Sequence, residues 1–482
     1  MNRRIIASML LLAILGCASP PKHTSPEVDL SIPAGWSEAA AIHFEETADT
    51  SRWWLSFDDS LLADLVEEAL GHNFNLRAAA AQVDAAAAVA RIAGADLWPQ
   101  LSASFNASRR KQNLIGIPIP GTGGIITTRS TSMGVSLDTV WEVDLWGRIR
   151  NAQAARLADL QASWADLAAI RLSIAGQTVK AYLAVIEAKL QVELAKETVE
   201  SYRLSADQVQ SRYERGVQSS LDLRLALANL ATARSLRELR AQQLDAAVRQ
   251  LEILLGRYPS GKLLTREDLP AVAAGVPPLL PSELLIRRPD LLAAERRYAG
   301  AVRQKSSALR AFFPSIRLTA SGGTLTQQLE DLTDGDFSVW SIAAGITQPL
   351  FQGGRLRANY SQSASLADQA LASYASALLR AFGEVESALV AEQTLARREA
   401  LTAEAVEQSE AARRLAELQY REGLVDYITV LETQRRALTS RSDLLTIERQ
   451  RLDARVNLHL ALGGGFELRD EWMRFLETHK RK

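Results

Sequence analysis

Glycine divides this 482-residue chain into two copies of one pattern. Between residues 148 and 255 the only glycines are Gly176 and Gly216; between 355 and 462 they are Gly383 and Gly423, each 207 residues further on. The same offset relates Gly147-Arg148 to Gly354-Arg355 and Leu255-Gly256 to Leu462-Gly463. It also relates Tyr213-Glu214-Arg215-Gly216 to Tyr420-Arg421-Glu422-Gly423. Upstream the offset is 215, pairing Asn75-Leu76 with Asp290-Leu291 and Leu97-Trp98-Pro99 with Phe312-Phe313-Pro314. The eight extra residues therefore fall between Pro99 and Gly147, where the run from Gly116 to Gly124 has the composition of a loop. A chain duplicated in this way builds two like units. Each is predicted to run helix, strand, loop, strand, long helix, break, helix.

The long helices follow from what is missing. No proline lies between Pro120 and Pro259, and none follows Pro349. A seven-residue frame from Leu160 takes in Leu160, Leu167, Ile174, Ala181, Ala188, Ala195, Tyr202 and Val209. Its partner positions are Trp164, Arg171, Thr178, Val185, Val192, Val199, Ala206 and Tyr213. Fourteen of these 16 positions are apolar or aromatic, and the equivalent frame in the second half keeps 11 of 16. That is a coiled-coil-like seam. A helix from 148 to about 214 would be about 100 Å long at 1.5 Å per residue. An ordinary globular core has no use for such a length, whereas a tube across the periplasm does.

The strands carry a period of two. Met133, Val135, Leu137, Trp141, Val143 and Leu145 are separated by Ser132, Ser136, Asp138, Glu142 and Asp144. Leu101, Ala103, Phe105 and Ala107 alternate with Ser102, Ser104, Asn106 and Ser108, and Trp340, Ile342, Ala344 and Ile346 alternate in the second half. One apolar and one polar face at this length suit a barrel with lipid outside and water inside. Four strands close no such barrel, because the smallest have about eight. An open edge in lipid would leave backbone groups unpaired. If the strands span a membrane, the residues alone require at least two copies.

The N-terminus carries a targeting pattern. Arg3 and Arg4 precede the apolar stretch Ile5–Leu15, which has signal-peptide length and is too short to span a bilayer. Ile14-Leu15-Gly16-Cys17 then resembles a bacterial lipobox, in which cleavage before Cys17 leaves a lipidated N-terminus. Ala18 follows, where an aspartate would mark retention at the inner membrane, so the outer membrane is expected. Residues 18–50, rich in Pro, Ser, Thr and Ala, read as a tether. Cys17 is the only cysteine, so no disulfide can form within the chain, and the five histidines show no metal spacing. The formal charge of −1 becomes −3 once Arg3 and Arg4 are removed, which offers no basic field for nucleic acid.

Four segments together resemble the TolC/OprM-type outer-membrane factor family, in its lipoprotein branch. They are Trp53-Trp54-Leu55-Ser56-Phe57-Asp58-Asp59; Arg287-Arg288-Pro289-Asp290-Leu291 with Ala294-Glu295; Phe313-Pro314; and the two Tyr-x-x-Gly turns, the second running through Asp426-Tyr427 into Leu431-Glu432-Thr433-Gln434-Arg435. The resemblance spans about residues 50–465. It implies an α+β membrane protein with four transmembrane β-strands per chain and long coiled-coil-like helices. Three copies would form a 12-stranded β-barrel on a periplasmic α-helical barrel, closed at the turns marked by Tyr213, Gly216, Tyr420 and Gly423. It implies an efflux channel subunit in the outer membrane that meets a periplasmic adaptor and an inner-membrane pump of the resistance-nodulation-division type. No catalytic residue, cofactor or metal is implied. Glu432 and Arg435 match the acidic and basic gate positions, and Asp222 matches an acidic tip position of the first repeat.

The implied segmentation is a signal peptide over 1–16, a lipidated tether over 17–50, a first repeat over 51–256, a linker over 257–285, a second repeat over 286–465 and a tail over 466–482. Two other readings stay open on the residues: a type I protein-secretion channel of the same fold, and a coiled-coil envelope lipoprotein with no channel. The second would have neither lipid-facing strands nor a closed tip. The acids Glu330, Asp331, Asp334 and Asp336 are placed in an external loop as a solvated mouth. Replacing Cys17 with serine is expected to abolish incorporation of labelled palmitate; undiminished labelling would put the lipid elsewhere.

Overall fold

The computed structural model describes residues 35–36, 52–114, 126–271, 281 and 284–464. Cys17, nearly all of the tether, the Gly116–Gly124 run and the tail lie outside them. In chain order the helices and strands are α1 (Ser60–His72), α2 (Phe74–Ala95), β1 (Gln100–Leu114), β2 (Ile126–Val143), α3 (Arg148–Glu214) and α4 (Ser220–Leu254). They continue as α5 (Leu284–Arg287), α6 (Pro289–Arg310), β3 (Ser315–Thr326), β4 (Ser338–Thr347), α7 (Arg355–Arg421) and α8 (Tyr427–Ala461).

The duplication holds to the residue. The long helices α3 and α7 have 67 residues each, α4 and α8 have 35 each, and α2 and α6 have 22 each. The long helices start 207 residues apart, while α2 and α6 start 215 apart. The surplus thus sits in the β1–β2 hairpin, as the sequence requires. Contacts repeat as well as elements. Gly256 (φ 75°) and Gly463 (φ 93°) each close against the last residue of a short helix. A Cβ would meet the carbonyl oxygen of His72 at 2.7 Å in one repeat and that of Arg287 at 2.4 Å in the other. Only glycine accepts both the left-handed φ and the approach.

One compact unit comprises the described parts of residues 84–162 and 295–373. It holds a single antiparallel sheet in the order β1-β2-β3-β4. The register puts Leu101, Phe105, Val135, Leu137, Leu318, Trp340, Ile342 and Ile346 on one face, all of them exposed. The opposite face carries Ser102, Ser104, Ser136, Asp138 and Ser321. There the Asp138 carboxylate accepts hydroxyls from Ser321 at 2.7 Å, Ser136 at 2.8 Å and Ser104 at 3.3 Å, tying three strands together. Strands β1 and β4 are edges, and every residue of β4 is exposed. At the helical end of the sheet the Trp146 indole stacks on Phe313 at 5.3 Å and donates to the Pro314 carbonyl at 2.8 Å.

The other unit comprises the described parts of residues 28–83, 163–294 and 374–482. Its main core gathers Trp53, Phe57, Leu62 and Val66 against Val179, Leu183, Ile186, Leu251, Leu452 and Val456. Asp59 organises this junction. One of its oxygens caps α1 through the Leu62 amide at 3.1 Å, and the other accepts the Tyr182 hydroxyl at 2.7 Å. Arg288, buried, reaches Asp290 at 2.8 Å, Glu384 at 2.7 Å and the Ala461 carbonyl at 3.2 Å.

The helix seam is less dry than its heptads suggest. Ile174, Val185, Val192, Ala206 and Val209 are buried, but Arg171 and Tyr213 are exposed. Much of the α3–α8 contact is polar instead: Glu187 with Arg449 at 3.0 Å, Gln191 with Ser442 at 2.9 Å and Glu197 with Arg441 at 2.8 Å. Between α7 and α8, Glu392 pairs with Arg455 at 2.7 Å and Glu399 with Arg451 at 2.9 Å.

His459 stacks on Trp53 with ring centroids 5.3 Å apart. Burial, helped by the nearby Arg455 guanidinium, pulls its imidazole down to about 4. An unfolded chain protonates this group near 6.5, so its contribution is complete above that pH and is lost as pH falls toward 4. The loss is on the order of 3 kcal/mol. His459→Gln is therefore expected to flatten the fall in Tm between pH 6.5 and 4.5. Parallel wild-type and variant curves would place the acid sensitivity elsewhere.

Candidate functional site

Two helix hairpins end in the Tyr-x-x-Gly turns, and both turns close by the same hydrogen bonds. In the first, the Gly216 amide donates to the Tyr213 carbonyl at 2.8 Å and the Val217 amide to the Arg212 carbonyl at 3.0 Å. In the second, the Gly423 amide donates to Tyr420 at 3.1 Å and the Leu424 amide to Gln419 at 2.9 Å. Gly216 (φ 75°) and Gly423 (φ 77°) supply the left-handed residue that such helix endings need.

The next helices are capped by related chemistry with the partners exchanged. Ser219 caps α4 by accepting the Asp222 amide at 3.1 Å, and its hydroxyl donates to the Asp222 carboxylate at 2.6 Å. Gln218 donates to the same carboxylate at 2.7 Å. In the second hairpin Asp426 is the cap, accepting the Thr429 amide at 2.9 Å and its hydroxyl at 2.6 Å. At the repeat offset Ser219 aligns with Asp426 and Asp222 with Thr429, so acid and hydroxyl have traded places. The Thr429 hydroxyl and amide hold the Asp426 carboxyl below its ordinary range. Asp222 is thus bound into a cap rather than standing free.

The turns differ in what they bury. Tyr213 is 43% exposed, whereas Tyr420 is buried. Tyr420 lies 5.6 Å from the ring of buried Tyr427, in a cluster with Val209, Ala226, Leu230 and Val430. Burial pushes both hydroxyl groups above the usual tyrosine range. Arg212 fastens the hairpins together. Its guanidinium lies 4.7 Å over the Tyr420 ring and donates to the Tyr420 and Arg421 carbonyls at 3.1 and 2.9 Å. A cation at the last carbonyls of α7 also opposes the negative end of that helix.

Glu432 and Arg435 lie on α8, where Arg435 reaches both carboxylate oxygens at 3.0 and 3.1 Å. Both side chains are well exposed, so this one-turn pair is worth about 0–1 kcal/mol. The structure does not bond it to Asp222. The acidic and basic candidates therefore occupy separate local contacts within one chain.

A neighbouring network was not anticipated. Gln434 donates to Ser205 at 3.1 Å and to Glu417 at 3.0 Å, and Arg413 bridges Glu410 and Glu417 at 2.9 and 2.8 Å. With Tyr420 and Tyr427, Ser205, Arg413 and Glu417 line a cavity of about 450 Å³. The Glu410-Arg413-Glu417 spacing, three then four residues, was legible on a helix. The reach of Arg212 across 208 residues was not. Among the described residues no group of three side chains could hold a metal ion.

Comparison with known proteins decides the family. A model described as outer membrane efflux protein matches residues 65–257 and 280–464. The chain belongs to the outer membrane efflux protein family. Among its relatives, the pyoverdine export outer membrane protein OpmQ of Pseudomonas putida is 33% identical over 472 residues, covering 96% of this chain and 98% of OpmQ. The outer membrane protein OprJ of Pseudomonas aeruginosa is 32% identical over 466 residues, 96% of each chain. The solved outer-membrane channel OprN superposes with a TM-score of 0.84 at 29% identity, covering 93% of this chain and 99% of that one. This outer membrane efflux protein is accordingly an outer-membrane channel component of an efflux system.

The Arg212 contact is directly testable. Arg212→Ala removes two hydrogen bonds from a cation to carbonyls, worth roughly 1.5 kcal/mol or more in sum. The Gly423 and Leu424 amides are expected to exchange hydrogen at least about tenfold faster, with Arg224→Ala as a control that leaves them unchanged. Unaltered exchange at 423 and 424 would remove Arg212 as the fastener.

Proposed function

We propose that this efflux protein works as a homotrimer, forming a duct for exported small molecules that crosses the periplasm and the outer membrane and is gated at the helix-hairpin turns. The observation that carries the reading is the sheet: four strands, one apolar exposed face and two unpaired edges. In lipid each open edge must find another strand. Because β1 and β4 run antiparallel at the two ends of an even-stranded sheet, β4 of one copy can pair with β1 of the next, and three copies give twelve strands. The 67-residue helices supply about 100 Å of length, which suits a periplasmic barrel.

Cys17 carries the lipid that holds the N-terminus in the outer membrane. At the other end the Arg212 clasp joins the two hairpins within a chain, while exposed Glu432 and Arg435 and the capping Asp222 supply charged groups that meet neighbouring copies when the turns close. A periplasmic adaptor that binds the open form more tightly shifts the equilibrium by its differential affinity. An inner-membrane pump of the resistance-nodulation-division class then drives the substrate into the duct. The protein itself breaks no bond; it is a conduit. The names of its relatives, a toluene efflux pump protein and a pyoverdine export protein among them, support small-molecule over protein cargo. An amphipathic sheet of this kind argues against a plain coiled-coil tether.

Planar-bilayer conductance tests this. The native protein is expected to conduct weakly, and Glu432→Ala/Arg435→Ala to conduct severalfold more; adding Asp222→Asn should raise conductance further. Silence from all of them, with insertion verified, would refute the channel reading.

A further inference from the structure

The β1–β2 hairpin outruns the rest of the sheet. Pairing between β2 and β3 starts at Met133 with Thr326, but β1 and β2 continue together to Leu114 with Ile126. On this extension Arg109 lies opposite Thr131, and Lys111 lies directly opposite Arg129. Side chains alternate between faces along a strand. Arg109, Lys111 and Arg129 therefore continue the face of Phe105 and Val135, just beyond Ala107 and Met133. Arg110 falls on the polar face.

The height is telling. From Val143 to Met133 the apolar face runs ten residues along β2, about 34 Å at 3.4 Å per residue. Tilted by about 35–45°, that is roughly 25 Å, the height of a transmembrane barrel's apolar band. The three cations come next, at the hairpin end of the sheet, away from the helices that join its other end. In the orientation of the proposed barrel this is the outer interface.

None of the three is bonded to an acid among the described residues. Residues 97–137, the connecting loop included, contain no aspartate or glutamate. Among the described residues none of the three forms an ion pair, although acids do stand on the turns between β3 and β4. Like charges directly opposite on a sheet are destabilising. A Lys111–Arg129 pair at the membrane interface, with no ion pair to either residue among the described residues, suits an external anion. Guanidinium and ammonium groups suit phosphate, the former by paired hydrogen bonds.

We propose that Arg109, Lys111 and Arg129 form a binding site for the phosphorylated headgroup of an outer-leaflet lipid, which clamps the protruding hairpin at the membrane surface. The proposal rests on the barrel reading for its orientation.

The test uses the purified full-length protein in detergent, titrated with diphosphorylated lipid A, the same lipid with its phosphates removed, and inorganic phosphate alone. Bound lipid is read by native mass spectrometry and by the rise in Tm. Wild type and Arg110→Gln are expected to bind the phosphorylated lipid alike. Arg109→Gln/Lys111→Gln/Arg129→Gln is expected to bind at least tenfold more weakly and to lose the rise in Tm. Inorganic phosphate alone should leave Tm unchanged. Equal binding of the dephosphorylated lipid to wild type would overturn the site, and so would undiminished binding by the triple variant or a full Tm rise with free phosphate. The wild-type comparison of lipids stands even if the triple variant folds poorly. Bilayer conductance separates the two readings: a conducting protein that ignores lipid phosphates refutes this site alone, whereas one that inserts but never conducts refutes the channel.

Discussion

A strand edge in hydrocarbon leaves amide and carbonyl groups with nothing to bond, at several kcal/mol for each unsatisfied group. The single chain has two such edges, β1 and β4, on a sheet with one predominantly apolar, exposed face. No rearrangement within four strands removes them. Association is therefore a condition of the membrane-embedded fold. The even strand number makes it geometrically simple, because every added copy presents an antiparallel partner. The long helices inherit the consequence, since each is continuous in the chain with a short connection to a strand.

Much of this was legible in the amino-acid sequence, and for stated reasons. Glycine marks left-handed turns, so Gly216, Gly256, Gly423 and Gly463 punctuate the helices at positions that no other residue fills as readily. The absence of proline lets α3 and α7 run uninterrupted, and the period of two in Leu101–Ala107 and Trp340–Ile346 gives the faces of the sheet directly. What escaped was long-range and specific. The heptad frame counts Tyr213 as apolar seam, yet it is exposed while its repeat partner Tyr420 is buried under Arg212. A local pattern carries no record of which hairpin covers the other. The polar contacts of Glu187, Gln191 and Glu197 with α8 were equally invisible, because such residues on a helix ordinarily face water.

The candidate gate illustrates how duplication diverges. Both hairpins keep the turn backbone, where glycine leaves little freedom, but they vary the side chains that secure the following helix. Ser219 with Asp222 and Asp426 with Thr429 satisfy the same free amides by opposite assignments of acid and hydroxyl. The acid comes from the cap position in one copy and from three residues later in the other, yet both carboxylates lie beside the cap, each 2.6 Å from the exchanged hydroxyl. Duplication has thus kept the place of the charge while changing the residue that supplies it.

The docking of the Trp53–Phe57 segment sets an order in time. Its pocket is built from α3, α4 and α8, and His459, which stacks on Trp53, is 406 residues further along the chain. This early segment can thus complete its packing only once almost the last helix is in place. Burial of the Trp53–Phe57 segment and the seating of α8 are therefore coupled across nearly the whole described chain, and loosening either one exposes the other.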